Sequence, residues 1–262
     1  MDNEELKTPQ TGEVQNQAAE TIKADEKENN ALVKKMKKEK KRKRKLKRWF
    51  RFLKVVYWTV GRIILPVKRL GHTEKFNDRS YVYVGNHLHV LDVIPVALSL
   101  NKPVHYMAKK ELTEKRIGRW FTKKCECIIV NRDGSDVRAL MQAMKYLKDG
   151  ESVCCFPEGT RNKTKEIFLP FKSGAAALAI KTRTPIVMMM QCKKIRLFRK
   201  NYFYYAEPFE FSEYYGKKMT EADIQEADEK LRQKMLETYY ELDEILKNMK
   251  KKKSKDKKNK QK

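Results

Sequence analysis

"YVYVGNHLHVLDVIPVAL", residues 81–98, carries three patterns in succession. "YVYV" is an apolar run of aromatic and β-branched residues and reads as a strand buried on both faces. "GNHLHVLD" is polar and interrupts it. "VIPVAL" is apolar again, and the residues after His87 are expected to form a helix towards Leu100. A strand that passes through a polar turn into a helix is the opening of a βα unit.

The alternation continues along the chain. "VHYMAK" (104–109), "CIIV" (127–130), "SVCCF" (152–156), "PIVMMMQC" (185–192) and "NYFYYAEPF" (201–209) read as further strands. "SDVRALMQAMKYLKDG" places Val137, Leu140, Met141, Met144 and Leu147 at helical spacing, with Gly150 as a stop. "SGAAALAIKT" (173–182) and a segment from about 220 to 248 read as helices. The expected fold class is therefore α/β, a mainly parallel central sheet flanked by helices. In such sheets chemistry collects at the carboxyl ends of the strands. Both 85–92 and 157–161 lie at such ends.

Charge is concentrated at the two ends of the 262-residue chain, whose formal net charge is +26. Residues 1–30 sum to −5, residues 34–54 to +13 and residues 247–262 to +9, which leaves a mildly basic middle. Four segments are expected: a disordered acidic tail (1–30), a polybasic segment with an amphipathic interfacial helix (31–66), an α/β domain (67–248), and a disordered lysine-rich tail (249–262). In "WFRFLKVVYWTVGRIILP" (49–66) the charges Arg51, Lys54 and Arg62 share one narrow helical stripe, and apolar residues cover most of the rest. Its longest uncharged stretch, Val55 to Gly61, is too short to span a bilayer. A helix lying in the interface of an anionic membrane fits better. An apolar helix at a domain edge also packs on its own core; the basic block before it favours the membrane.

The five cysteines are odd in number, and no secretory signal peptide opens the chain, so reduced thiols are expected. Their spacing lacks paired Cys-x-x-Cys elements, and no metal site is expected. The lysine tails lack interleaved aromatics, so specific nucleic-acid binding is the weaker reading of the charge.

Two motifs carry chemistry. "NHLHVLD" (86–92) holds two histidines and an aspartate, and the residues alone do not say which histidine acts. "FPEGTR" (156–161) puts a carboxylate, a glycine, a hydroxyl and a guanidinium on a turn after a buried strand. There Gly159 permits close backbone approach and Arg161 can grip a phosphate with two parallel hydrogen bonds. Arg132 follows another strand, and Lys172 precedes a helix whose start favours anions.

The order and separation of these motifs resemble the lysophosphatidate (1-acylglycerol-3-phosphate) acyltransferase family, whose hallmarks are Asn-His-x4-Asp and Phe-Pro-Glu-Gly-Thr-Arg. "HYMAKKEL" (105–112), "CIIVNRDGS" (127–135) and "TPIVMMM" (184–190) resemble its other blocks, although methionines stand where relatives often have a second proline. The resemblance covers about 55–245. It implies a glycerolipid acyltransferase fold, with His87 as general base and Asp92 as its partner. It also implies that Glu158, Gly159, Thr160 and Arg161 bind the glycerol phosphate of the acceptor, with Arg132 as helper. Asn86, Lys109 and Lys172 are weaker candidates, and the role of His89 stays open.

The reaction implied moves a fatty acyl group from an acyl-coenzyme A or acyl-carrier-protein thioester to the sn-2 hydroxyl of a 1-acyl-glycerol-3-phosphate, giving phosphatidic acid. No bound cofactor is expected, and the motif holds no serine or cysteine, so an acyl-enzyme is not required. The alternatives are acylation of glycerol 3-phosphate or of a lysolipid without phosphate. The expected partners are the lysophospholipid, the acyl donor and an anionic membrane surface. The expected location is peripheral or monotopic, on the cytoplasmic face of the cell membrane.

Overall fold

The computed structural model describes residues 11–72, 76, 78–99, 102–131, 136–172 and 174–259. The chain divides into two units, Met1–Lys45 and Leu46–Lys262. The first is helical from Thr11 onward, in helix α1 (Thr11–Val56). The second holds the sheet and both hydrophobic cores.

After α1 come one turn of π-helix (Tyr57–Gly61), a short α2 (Arg62–Ile64) and strand β1 (Val67–Gly71). The alternating part follows: β2 (Val82–Gly85), α3 (Val93–Ser99), β3 (Val104–Lys109), α4 (Arg116–Lys124), β4 (Ile128–Val130), α5 (Val137–Lys148), β5 (Ser152–Cys155), α6 (Ala175–Thr182) and β6 (Ile186–Met190). β7 (Asn201–Tyr205) and the long α7 (Glu221–Asn259) close the described chain. The strands form one seven-stranded sheet in the order β1-β7-β6-β2-β5-β3-β4. β6, β2, β5, β3 and β4 are mutually parallel, whereas β7 pairs antiparallel to β6 and β1 runs parallel to β7. The mainly parallel α/β sheet expected from the sequence is the sheet observed.

Why β2, β5 and β6 read as unbroken apolar runs is plain from their packing: each buries both faces. Val82 and Val84 of β2 point into one core, with α5, α6 and α7. Tyr81 and Tyr83 point into the other, with Leu46 and Phe50 of α1 and Val96 of α3. β6 divides the same way, Ile186, Met188 and Met190 to one side and Val187 and Met189 to the other. The period of two survives inside a run that is apolar throughout.

The structure differs from the expectations in four places. The described parts of both charged tails are helical, since α1 starts at Thr11 and α7 runs to Asn259. Lys, Glu and Ala are strong helix formers, and pairs such as Arg42–Glu39 (2.6 Å) and Lys247–Asp243 (2.7 Å) bridge successive turns. Residues 1–10 and 260–262 lie outside the described residues. Strand β1, "VKRLG", was not expected, because its two charged residues are exposed at the sheet edge and leave no apolar run. Nor was α4, whose apolar Ile117 and Trp120 face outward. Finally, the end of α1 is neither wholly exposed nor wholly packed: Leu46 and Phe50 are buried in the core, while Phe52, Val55 and Val56 are exposed. Among the described residues no helix is long and apolar enough to cross a membrane.

Leu231 of α7 is fully buried against the first core. Leu231→Ala is expected to lower stability by about 2–5 kcal/mol, as lost apolar burial plus a residual cavity. Urea unfolding followed by circular dichroism measures it.

Candidate active site

The carboxyl ends of β2, β5 and β6 lie side by side at the centre of the sheet, and each leaves a polar residue there. Gly85 ends β2 with its Cα so close to the Met189 carbonyl that a Cβ would stand 2.6 Å from that oxygen. Asn86 follows, buried. Its Nδ2 donates to the Gln191 carbonyl (2.8 Å), and its Oδ1 accepts the Gln191 N–H (3.1 Å). This reciprocal pair clamps the end of β2 to the end of β6 and uses both ends of the amide.

His87 is the next residue. Its Nδ1 lies 3.0 Å from Oδ2 of Asp92, which is fully buried. The same oxygen accepts the N–H groups of Leu88 (2.7 Å) and His89 (2.7 Å). The five-residue spacing thus closes a tight turn in which one carboxylate oxygen serves a ring and two backbone donors. A carboxylate at Nδ1 places a proton on that nitrogen and leaves the Nε2 lone pair as the acceptor. Among the described residues Nε2 makes no hydrogen bond. The ring lies flat against Phe156, with centroids 4.3 Å apart and planes 16° apart. Orientation is therefore set by a carboxylate at one edge and an aromatic face on one side.

His89 has a different task. It precedes the single turn of 3-10 helix at Val90–Asp92, and its Nδ1 accepts the Leu91 N–H at 3.3 Å. It is a cap on the turn that carries Asp92. His105, at the opposite end of β3, is fully buried between the Glu126 carbonyl (Nδ1, 3.0 Å) and the Glu151 carboxylate (Nε2, 2.6 Å), and it stacks on Tyr146.

The loop after β5 is built around the backbone of His87. The His87 N–H donates to Oε1 of Glu158 (2.9 Å), and the Asn162 N–H donates to the His87 carbonyl (2.7 Å). The other oxygen of Glu158 accepts the Leu169 N–H at 2.9 Å. Asn162, buried, holds its own loop through Thr164 and the Glu166 carbonyl. Gly159 sits at φ +63°, with the stem of Lys172 3.0 Å from where a Cβ would be. Thr160, Arg161 and Lys172 are exposed on this loop, and Lys109 is exposed at the end of β3. Arg132 lies outside the described residues.

Glu158 requires a correction. It was expected among the ligands of the acceptor, yet it is 1 % exposed and each of its oxygens is taken by a backbone N–H. It braces the loop. Burial raises its pKa above the ordinary value, against the opposing pull of those two donors. Asn86 is likewise a structural clamp. Phe156, Asn162 and Gln191 were not singled out from the sequence. Phe156 opens the "FPEGTR" motif, which was the available signal; the other two are ordinary polar residues until the fold brings them to His87 and Asn86. All five cysteines are free, and burial pushes Cys155 up to about 12 and Cys192 up to about 11.

Residues 68–190, which contain both motifs, match the family model described as Acyltransferase. The curated proteins to which the chain is similar include 1-acyl-sn-glycerol-3-phosphate acyltransferases. That of Bacillus subtilis is 34% identical over 111 residues, covering 42% of this chain and 54% of that protein. That of Helicobacter pylori J99 is 34% identical over 125 residues, covering 47% and 53%. The chain spans about half the length of these curated relatives. Among solved structures it is similar to the 1-acyl-sn-glycerophosphate acyltransferase PlsC of Thermotoga maritima. There the TM-score is 0.49 and the identity 21%, over 76% of this chain and 96% of that one.

Glu158→Ala strands two backbone N–H donors beside a buried side chain and is expected to cost about 2 kcal/mol, with Glu158→Gln milder. Because the folded-state pKa of Glu158 is raised, its ionised form is the disfavoured one inside the protein. Wild-type stability relative to Glu158→Gln should therefore rise as pH falls through that raised value. It should level off below the unfolded carboxylate value of about 4.3. Urea titrations of both proteins across the acidic range check the sign.

Proposed function

We propose that the protein moves a fatty acyl group from an acyl thioester to the sn-2 hydroxyl of 1-acyl-glycerol-3-phosphate, producing phosphatidic acid. One observation carries this reading. An imidazole held by a buried carboxylate at Nδ1, with Nε2 unengaged, stands where the "FPEGTR" loop is bonded directly to its backbone.

The chemistry follows from that arrangement. A lipid hydroxyl becomes a competent nucleophile when a base removes its proton. His87 Nε2 takes that proton while the hydroxyl oxygen attacks the thioester carbonyl. Asp92, bonded to the opposite nitrogen, stabilises the imidazolium that forms. The tetrahedral intermediate then collapses, the C–S bond breaks, and the proton returns from His87 to the leaving thiolate. No atom of the enzyme need be acylated. The raised pKa values of Cys155 and Cys192 support this, since a thiol that stays protonated is a poor nucleophile.

Arg161 adjoins Asn162, whose N–H holds the His87 carbonyl, so an acceptor phosphate gripped by Arg161 would lie beside the base. Thr160 and the positive-φ Gly159 on the same turn, with Lys172 over it, complete the anion-binding loop in this reading, and Arg132 and Lys109 remain candidates for the donor or acceptor phosphates. The donor is a coenzyme A or acyl-carrier-protein thioester. The exposed apolar residues at the end of α1 support peripheral or monotopic attachment to an anionic membrane surface, on the cytoplasmic face where soluble acyl carriers are present.

His87→Ala is expected to lower kcat by a factor of about one hundred or more with the fold intact. His89→Ala should lose only a turn cap, about 1 kcal/mol of stability, with a small effect on rate. Equal loss in both would overturn the assignment of the base. Arg161→Ala should raise KM for a phosphate-bearing acceptor about tenfold or more and leave KM for the thioester nearly unchanged. Assays with lysophosphatidate, glycerol 3-phosphate and a phosphate-free lysolipid, each with both kinds of thioester, test the substrate directly.

A further inference from the structure

The end of α1 is not alone in presenting apolar side chains to solvent. Phe52, Val55, Val56, Val60 and Ile63 form an outward stripe along α1, the π-turn and α2. At its Phe52 end the stripe continues onto a second element. Trp49 stacks on Phe52 (5.6 Å between centroids) and meets Trp120 of α4 edge-on (5.4 Å). On α4 the outward residues are Trp120, 51 % exposed, and Ile117, 81 % exposed. A solvated helix would carry polar residues there.

At the other end of the stripe, the turn between β6 and β7 is tied to α2. The N–H of Phe198 donates to the Ile64 carbonyl at 2.6 Å. Phe198 is 69 % exposed, and its neighbour Leu197 is exposed too. Phe198 also has φ +55°, a left-handed conformation that is strained for a bulky side chain. An exposed phenylalanine held at the tip of a strained turn is a poor solution for a face that meets only water.

Charge agrees with a single partner. "KRIGRWFTKK" (115–124) carries five basic residues, "KKIRLFRK" (193–200) another five, and neither contains an Asp or Glu. Residues 47–64 have basic residues and no acidic ones. Between stripe and turn lies an apolar groove of about 280 Å³, walled by Trp58, Ile63 and Leu98 and bordered by Arg62, Lys68 and Lys200. Both flanking elements follow carboxyl ends, α4 that of β3 and the turn that of β6, the same sheet edge as His87.

We infer that α4 and the Leu197–Phe198 turn are two further membrane-inserting elements, which bracket the α1 stripe and seat the active-site edge of the sheet on an anionic bilayer. Trp120 and Ile117 enter at one end, Leu197 and Phe198 at the other, and the basic residues around each meet lipid phosphates. The inference rests on the membrane attachment proposed above and extends it to two elements remote in sequence. It also states an orientation, with the site edge towards the lipid.

The test uses the full chain and vesicles of phosphatidylcholine with and without phosphatidylglycerol. The chain has three tryptophans, so Trp49→Phe/Trp58→Phe leaves Trp120 as the sole indole reporter. On vesicles containing phosphatidylglycerol its emission should shift to the blue and be quenched by brominated acyl chains. In the otherwise unaltered chain, Phe198→Ser should weaken binding to those vesicles about tenfold or more with no loss in melting temperature. Tyr240→Ser, at an exposed aromatic of α7, should leave binding unchanged. Vesicle binding with Trp120 unquenched and Phe198→Ser without effect would overturn this inference and leave attachment through α1 standing. Equal binding to both vesicle types would overturn the anionic partner. Failure of the unaltered chain to bind either would overturn both the inference and the attachment beneath it.

Discussion

The backbone of His87 is gripped from both sides by a loop seventy-one residues further on. Glu158 accepts its N–H and the Asn162 N–H meets its carbonyl. Burying a carboxylate is costly, and Glu158 is tolerated because backbone donors meet both of its oxygens. The result is a fixed point. With the backbone held, the imidazole is turned by Asp92 at one edge and supported by Phe156 on one face. Proton transfer depends steeply on distance and alignment, so a base needs this kind of rigidity more than it needs reach.

That fixed point can exist only because the sheet brings three strand ends together. β2 lies between β6 and β5, so the turn after it has the Gln191 edge on one side and the "FPEGTR" loop on the other. The two cores keep β2 in register. Valines pack against α5, α6 and α7, tyrosines against α1 and α3, and a slip of one residue would exchange two side-chain sets of very different size. The site is the polar rim of a strand whose position is dictated from both faces.

Much of this was legible beforehand. Buried strands announce themselves as apolar runs, and β2 to β6 were read so. Of the helices that face the core, α5 showed its period and α6 read as a helix. What escaped notice had a common physical cause. β1 is an edge strand held by backbone pairing with β7, which leaves no side-chain pattern. α4 points Ile117 and Trp120 away from the core, so its period gives no sign of a packed face. The charged parts of α1 and α7 resemble disordered tails in composition, although their residues are good helix formers. Within the site, the pairing of His87 with Asp92 could be proposed from spacing and resemblance. The parts played by Glu158, Asn162 and His89 could not.

By itself the sequence determined the class of fold, the two motifs and the kinds of side chain available to a site, because these depend on local pattern and on residue chemistry. Only the tertiary structure decided what each of those side chains does. It made Glu158 a brace where a ligand was expected, made His89 a cap, and joined Trp120 to Phe52 through Trp49. The reason is that a hydrogen-bonding or apolar group acquires its role from whatever lies within a few ångströms, and for these residues that neighbour comes from a distant segment or from the precise closure of a turn.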